Sequence, residues 1–380
     1  MNKKQRLILI LLSFALYISL GLPDSIVGSG WPVIRQTFHF SLEFVSVITT
    51  VSLLFSLLSN FIYVKLSARL QEGTVIFMSM LSIVIALFLM LLAPNGWIYL
   101  LSVPFLGMGQ GAIDVAVNTI VARNFSGKIM NFVHAFYGLG VTLSSMLVAF
   151  SIQLTASFRL AVLLILLLHS LILLFFLSRK STFTAHGETE GKTDSARAKL
   201  SLRHWLFPLF YFLYSIEQIF SLLMASYLVY RHYEAAFAAL ITGIFWFGLM
   251  VGRVLSGFML DYFKPERFIV ILLCLSFAGT LLMAVYPLGA AVLVGLGFSG
   301  LYPTVMTLPH RYFSGVLAGK MVAINVSAAS AGMFLMPIIF SGLIALTDLS
   351  IFPWAYEFFF LLMFLVGLLM LHFNRKHESD

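Results

Sequence analysis

Charge is what this sequence has least of. Of its 380 residues only 10% are Asp, Glu, Lys or Arg, against 61% hydrophobic. A soluble domain carries roughly 25% charged residues. A chain this poor in charge cannot coat a globule with polar side chains, so most of its surface must face something other than water. Cysteine is almost absent as well. The single Cys274 lies inside an apolar run, which excludes both a disulfide framework and a cysteine metal site. The motifs of catalysis are missing too: there is no His-Glu-x-x-His, nucleophile elbow, Walker loop or metal-ligand cluster. The chain therefore reads as no enzyme, and no cofactor or metal is expected. Nor does it hold a sizeable soluble segment to serve as the output domain of a membrane sensor.

What is present is a series of long apolar runs. A spanning helix needs about 20 largely apolar residues. That ruler finds segments at roughly 7–30, 42–64, 74–93, 97–121, 131–153 and 158–178. After a polar gap they resume at roughly 204–229, 236–259, 267–286, 288–309, 320–345 and 351–373. The basic start, Lys3-Lys4-Gln5-Arg6, precedes an apolar run too long for a signal peptide and lacks a small-residue cleavage site, so it opens the first spanning helix. The expected fold is an all-α membrane protein of twelve transmembrane helices in two six-helix bundles, 1–178 and 204–380, joined by a cytoplasmic linker at 179–203. The linker, with its His186-Gly-Glu-Thr-Glu-Gly-Lys-Thr-Asp-Ser stretch, has no apolar period.

The net charge of +8 does not imply a nucleic-acid partner, because the basic residues lie between apolar runs rather than in one patch. They act as topology signals. With the N-terminus inside, all but Arg35, Arg159 and Arg231 of the 23 Lys and Arg fall in cytoplasmic loops, and an even helix count puts both termini there. The bacterial inner membrane, spanned many times by a monomer, is the expected location.

The two halves repeat. Gly107 and Gly109 in the fourth segment are matched by Gly295 and Gly297 in the tenth, Thr119 by Thr307 and Lys65 by Arg253, each pair separated by 188 residues. Asn131 and Gly138 are echoed by Asn325 and Gly332. A same-order repeat of six helices fits a carrier of two like halves, with the substrate held near the midplane.

Ionisable side chains inside the hydrocarbon are costly and generally have a task. Four stand out: Asp24, Asp114, His134 and Glu217. Asp24 follows Pro23, which lacks an N–H and leaves a carbonyl free to line a polar cavity. Asn118 lies four residues beyond Asp114, so both side chains share a helix face. Burial disfavours the charged form of a carboxyl group, which lets such a group take up a proton on one side and release it on the other. Asp24, Asp114 and Glu217 are therefore the candidate proton-coupling residues. Gln110, Asn118, His134, Tyr137, Gln218, Trp246, Tyr302 and Asn325 are the candidate substrate ligands, with Tyr214 near them. Arg253 and Asp261, at the cytoplasmic end of the eighth segment, form a candidate latch. The expected partners are a small-molecule substrate, a proton and the lipid bilayer.

These motifs resemble the major facilitator superfamily, and within it the fucose–galactose–glucose:proton symporter branch. The resemblance covers nearly the whole chain. It rests on Gly107-x-Gly109-x-Gly111-x-x-Asp114-x-x-x-Asn118, Asn131-x-x-His134-Ala-x-Tyr137-Gly138-x-Gly140, Phe245-Trp246-x-Gly248-x-x-x-Gly252-Arg253-x-x-x-Gly257 and Gly295-x-Gly297-x-x-Gly300-Leu-Tyr302-Pro303-Thr304. It implies proton-coupled sugar uptake by alternating access, with Asp24 and Asp114 as the paired carboxylates of helices one and four and Glu217 as the acidic residue of helix seven. The loop Lys65-Leu-Ser-Ala-Arg69-Leu-Gln-Glu-Gly73 stands where the superfamily carries a gating motif, which makes Lys65 and Arg69 gating candidates, but it lacks that motif's aspartate. Proton-driven efflux of amphipathic compounds, using the 38 Phe and 17 Met as an adaptable apolar pocket, is the alternative.

Overall fold

A computed structural model describes residues 3–67, 69–125, 127–180, 202–313 and 315–375. These residues form fifteen α-helices and two short 3₁₀ turns, with no strand among them. In chain order the helices are α1 (Lys3–Gly21), α2 (Ser25–Phe38), α3 (Phe44–Ser67), α4 (Glu72–Leu92), α5 (Gly96–Asn124), α6 (Gly127–Thr155) and α7 (Arg159–Arg179). The second series runs α8 (Leu206–Tyr214), α9 (Ile216–Tyr230), α10 (Ala235–Met259), α11 (Pro265–Leu281), α12 (Pro287–Ser299), α13 (Leu301–Tyr312), α14 (Gly315–Leu346) and α15 (Phe352–Arg375).

Three expected spans are broken in mid-course. The first divides at Leu22–Asp24 between α1 and α2, the seventh at Ser215 between α8 and α9, and the tenth at Gly300 between α12 and α13. Pro23 accounts for the first break, since it cannot donate to the helix. Each break lies within two residues of a polar side chain singled out above: Asp24, Glu217 or Tyr302. Broken helices at membrane depth are tolerated where the freed backbone lines protein or a cavity.

Eleven candidate spans among the described residues are long and apolar enough to cross a membrane, against twelve expected. The difference is the ninth segment. Its helix, α11, has only 17 residues, because the chain leaves the helix after Leu281 and turns toward Pro287. Large apolar side chains cover the outside, among them Phe61 at 73% and Val285 at 77% exposure, a surface suited to lipid rather than water. Trp97 and Trp354, near the starts of α5 and α15, are exposed as well, as interfacial aromatics are.

The described residues divide into two compact units, Met1–Gly191 with Leu228–Gly243, and Lys192–Tyr227 with Ile244–Asp380. The expected linker lies outside the described residues from 181 to 201. The hairpin at 228–243, placed by the sequence in the second half, belongs to the first unit by its contacts. Ala239 packs with Val148, Ala149, Ile152 and Ala161, and a Cβ on Gly243 would stand 3.0 Å from the Ser145 Cβ.

Glycines set the packing inside each unit. In α5, a Cβ at Gly107 or Gly111 would overlap the Ser52 or Ser56 carbonyl of α3, while one at Gly109 would stand 2.6 Å from the Ser79 carbonyl of α4. The same wedge recurs in the second unit. Gly295 of α12 meets the Phe245 carbonyl of α10, and a Cβ on Gly297 would lie 2.6 Å from the Ser276 nitrogen of α11. The 188-residue offset is thus a repeat of contacts as well as of letters. Each unit also carries an ion pair between the start of one helix and the end of the following span: Glu72 of α4 with Arg123 of α5, and Glu266 of α11 with Arg311 of α13 in the broken tenth span, both 3.0 Å.

Candidate functional site

In the first unit, α5 presents Gln110, Asp114 and Asn118 at successive four-residue steps, one above another on a single face. The broken first span runs alongside and supplies Tyr17 and Asp24. The Tyr17 hydroxyl donates to Asp114 Oδ1 at 2.8 Å, and Asn118 Nδ2 donates to the same oxygen at 3.1 Å. Asp114 Oδ2 accepts no hydrogen bond among the described residues. One turn of α5 away, about 6 Å along the axis, Gln110 Nε2 donates to Asp24 Oδ1 at 3.2 Å and to the Leu20 carbonyl at 3.4 Å. Tyr137 of α6 donates to Asp24 Oδ2. Both oxygens of Asp24 are engaged, whereas only one oxygen of Asp114 is.

Exposure separates these residues from the lipid-facing surface. Asp24 is exposed and Gln110, Asp114, Asn118, His134 and Tyr137 are half-buried, while Tyr17 is 1% exposed. His134 sets its ring edge-on to Tyr17 with centroids 5.2 Å apart. Five of the residues expected from sequence in this half therefore form one strip: Asp24, Gln110, Asp114, Asn118 and Tyr137, with His134 at its margin.

The second unit holds a separate group. Glu217, two residues past the break, is 8% exposed, and its Oε1 finds no hydrogen-bond partner among the described residues. Tyr214 donates to the Phe298 carbonyl at 3.2 Å and Tyr211 to the Tyr302 carbonyl at 2.8 Å. The Tyr302 ring packs against both tyrosines, at 4.9 Å and 5.5 Å. Trp246 is buried against Phe245, and Gln218 is half-buried. Asn325 is fully buried, and neither its side-chain oxygen nor its nitrogen has a partner among the described residues. A buried amide left that way is costly and marks a place where a polar ligand or water would be welcome.

The expected latch looks different in place. Among the described residues no ion pair joins Arg253 to Asp261, and Asp261 is exposed. Arg253 instead acts electrostatically on Tyr214 and Glu217. Lys65 and Arg69 are exposed at and just beyond the end of α3, and nearby Glu72 is engaged by Arg123.

Sequence reasoning passed over three features. Tyr17 carries a signal that could have found it, since it lies seven residues before Asp24 and so on nearly the same face. His169 of α7 is fully buried, with Nδ1 2.7 Å from the Ser19 hydroxyl and Nε2 3.1 Å from the Met80 carbonyl. The hydroxyls of Ser25, Ser29 and Ser145 form a buried cluster at 2.6–3.0 Å, tying α2 to α6. Serine and histidine in apolar helices give no spacing signal that pairs them.

A family model described as Major Facilitator Superfamily matches residues 13–337. The glucose/mannose transporter GlcP of Bacillus subtilis (strain 168) is 24% identical over 320 residues, covering 78% of this chain and 79% of that protein. Among solved structures, a variant of the nucleoside transporter NupG superposes with a TM-score of 0.76 at 13% identity, covering 96% of this chain and 99% of the other. A D-xylose-proton symporter gives 0.73 at 14% identity, covering 96% and 97%. At these identities the structural likeness speaks for the fold alone.

Proposed function

The chain belongs to the Major Facilitator Superfamily, as a multi-pass membrane transporter, and on that footing we propose that it is a proton-coupled symporter for a small neutral sugar. It works by alternating access in the bacterial inner membrane, as a monomer with both termini in the cytoplasm. The observation that carries this reading is the polar strip of the first unit: Asp114 on one face of α5 and, one turn away along that face, Asp24 of the broken first span held by Gln110, both carboxylates taking their hydrogen bonds from neutral donors. Among the described residues no Lys or Arg pairs with either, so each is suited to being neutralised by a proton. The neutral donors and acceptors around them match sugar hydroxyls, which both donate and accept.

Asp114, whose Oδ2 accepts no hydrogen bond among the described residues, is the main proton site in this reading. Asp24 is the second carboxylate, and Gln110, Asn118, His134 and Tyr137 are ligands of the sugar. Glu217 adds a third proton-coupling group in the second unit, where Gln218, Trp246, Tyr302 and Asn325 are the sugar-facing side chains. Arg253 supports Glu217, and Lys65, Arg69 and Asp261 act in gating at the basic ends. The sugar relative, glucose/mannose transporter GlcP, supports the substrate class.

The test is uptake of labelled hexoses and deoxyhexoses into proteoliposomes, with and without an inward proton gradient. Gradient-driven accumulation of one sugar is expected. Folded protein that accumulates none, and whose expression raises resistance to cationic dyes, would overturn sugar symport in favour of efflux.

A further inference from the structure

A small cavity of the first unit adjoins the polar strip at Asp24 and Gln110, on the side away from Asp114 and Asn118 along α5. It lies between α2, α3, α4 and α5, and Asp24, Gln110, Thr49 and Ser52 supply its polar atoms. No ionisable group other than Asp24 lines it; the groups donating to that carboxylate are Gln110 of α5 and Tyr137 of α6. At about 50 Å³ it is far smaller than a small-molecule pocket, but it has room for a few waters.

The cavity runs toward the bundle end that carries the 39–43 and 93–95 loops. There its walls are Val27, Ile48 and Val103, and each has an aromatic residue one helical turn further out: Trp31, Phe44 and Tyr99. These rings belong to a continuous layer. Phe40 stacks between Phe44 at 4.8 Å and Trp31 at 6.1 Å, and Phe38 packs on Tyr99 at 5.1 Å. Trp31 Nε1 donates to the Leu42 carbonyl at 2.9 Å, anchoring the layer to the loop. Tyr99 is fully buried, and its hydroxyl has no partner among the described residues. A buried unpartnered hydroxyl within such a layer is a place where water would be welcome.

We infer that this cavity is a water chamber that brings the proton to Asp24 by a route separate from the sugar's, with the aromatic layer as its barrier. Hydronium entering the chamber gives its proton to an Asp24 oxygen and leaves a water behind; release runs the same step backwards. Such a barrier is what a coupled carrier requires, because an open side route would let protons leak past the sugar.

The inference rests on the proton-coupled reading, and the experiment separates the two. The only native cysteine is Cys274, so Cys274→Ser gives a thiol-free background. Leu106→Cys, or Val103→Cys should the first fail to fold, then places one thiol on the chamber wall. Silver ion, thiol-seeking and small, is applied from either face of the vesicle. From the face bearing the 39–43 loop it should abolish gradient-driven accumulation while sugar counterflow persists, and thiol should reverse the block. Phe44→Ala should speed the block. If silver fails to react in folded, counterflow-competent protein even with Phe44→Ala, there is no such chamber. If it reacts and accumulation survives, the chamber is not the proton's route. Absence of gradient-driven accumulation in the unmodified protein would instead refute proton coupling, and the silver reaction would still decide whether the chamber exists.

Discussion

Asp114→Asn is the sharpest perturbation, because the structure lets the proton be removed while the contacts stay. Asparagine keeps a carbonyl oxygen where Oδ1 stands, so the Tyr17 hydroxyl at 2.8 Å and the Asn118 amide at 3.1 Å can still donate. A hydrogen bond to a charged acceptor contributes about 1.5–3 kcal/mol and a neutral one about 0.5–1.5 kcal/mol. Two bonds weakened in this way cost about 2–3 kcal/mol by the middle of those ranges, within the margin of a folded domain. Asp114→Ala is different, because it strands the Tyr17 hydroxyl in a residue only 1% exposed and adds about 1–3 kcal/mol. Coupling should respond the other way round. An imposed difference of about two pH units supplies about 2.7 kcal/mol per proton, enough for about 100-fold accumulation. Asp114→Asn should remove all of that gain while sugar counterflow in the same proteoliposomes continues. Accumulation at the wild-type level would refute Asp114 as the proton site. Loss of counterflow, with thermal stability unchanged, would make it a sugar ligand instead.

Other perturbations separate packing from function. Gly107→Ala puts a Cβ into the Ser52 carbonyl, where backbone has to give; a loss of about 1–3 kcal/mol should appear as a lower melting temperature in detergent. His169→Phe removes the links to Ser19 and the Met80 carbonyl. It should destabilise by about 1–3 kcal/mol without moving the KM for sugar in the protein that folds. The two ion pairs should differ despite equal lengths. Glu266 keeps the Tyr312 hydroxyl at 3.0 Å when Arg311 is lost, whereas Glu72, with a side chain 2% exposed, has Arg123 as its one side-chain hydrogen-bond partner among the described residues. Arg123→Met should therefore lower thermal stability more than Arg311→Met, and equal shifts would refute the comparison.

The apolar runs made the helices legible, because length and apolar composition are all that a spanning helix needs. The glycine offset was legible too: Gly107 and Gly109 repeat as Gly295 and Gly297 because both pairs answer the same close approach of neighbouring backbones. What stayed hidden depends on partners far apart in the chain. Nothing near Tyr17 in sequence points to Asp114, 97 positions on. Ser19 and His169 are 150 apart. Arg253 looked like a membrane-edge charge because position in a helix says nothing of where a long, flexible side chain reaches. The short α11 escaped because hydropathy ran on through residues 282–286 although the backbone had already turned.

The break at Pro23 explains why Asp24, rather than another position of the first span, is suited to a moving charge. On one side of the break, α1 is fixed through Ser19 and His169 to α7 and the Met80 carbonyl of α4. On the other side, α2 is fixed to α6 through Ser25, Ser29 and Ser145. Both pieces also pack on α6, where Gly21 of α1 lies against the Tyr137 carbonyl and Gly140 against the Ile18 carbonyl, so the break sits over a shared neighbour while the His169 link to α7 and α4 holds α1 alone. Asp24 stands between them and takes its donors from both neighbours, Gln110 of α5 and Tyr137 of α6. Protonation turns one of its two oxygens into an O–H, which remains a weaker acceptor, so the hydrogen bond which that oxygen receives is weakened. In a continuous helix that change would be absorbed locally. At a break that takes its donors from two different helices it alters the balance between α5 and α6, which is how a single proton can bias a helix-scale rearrangement of a few kcal/mol.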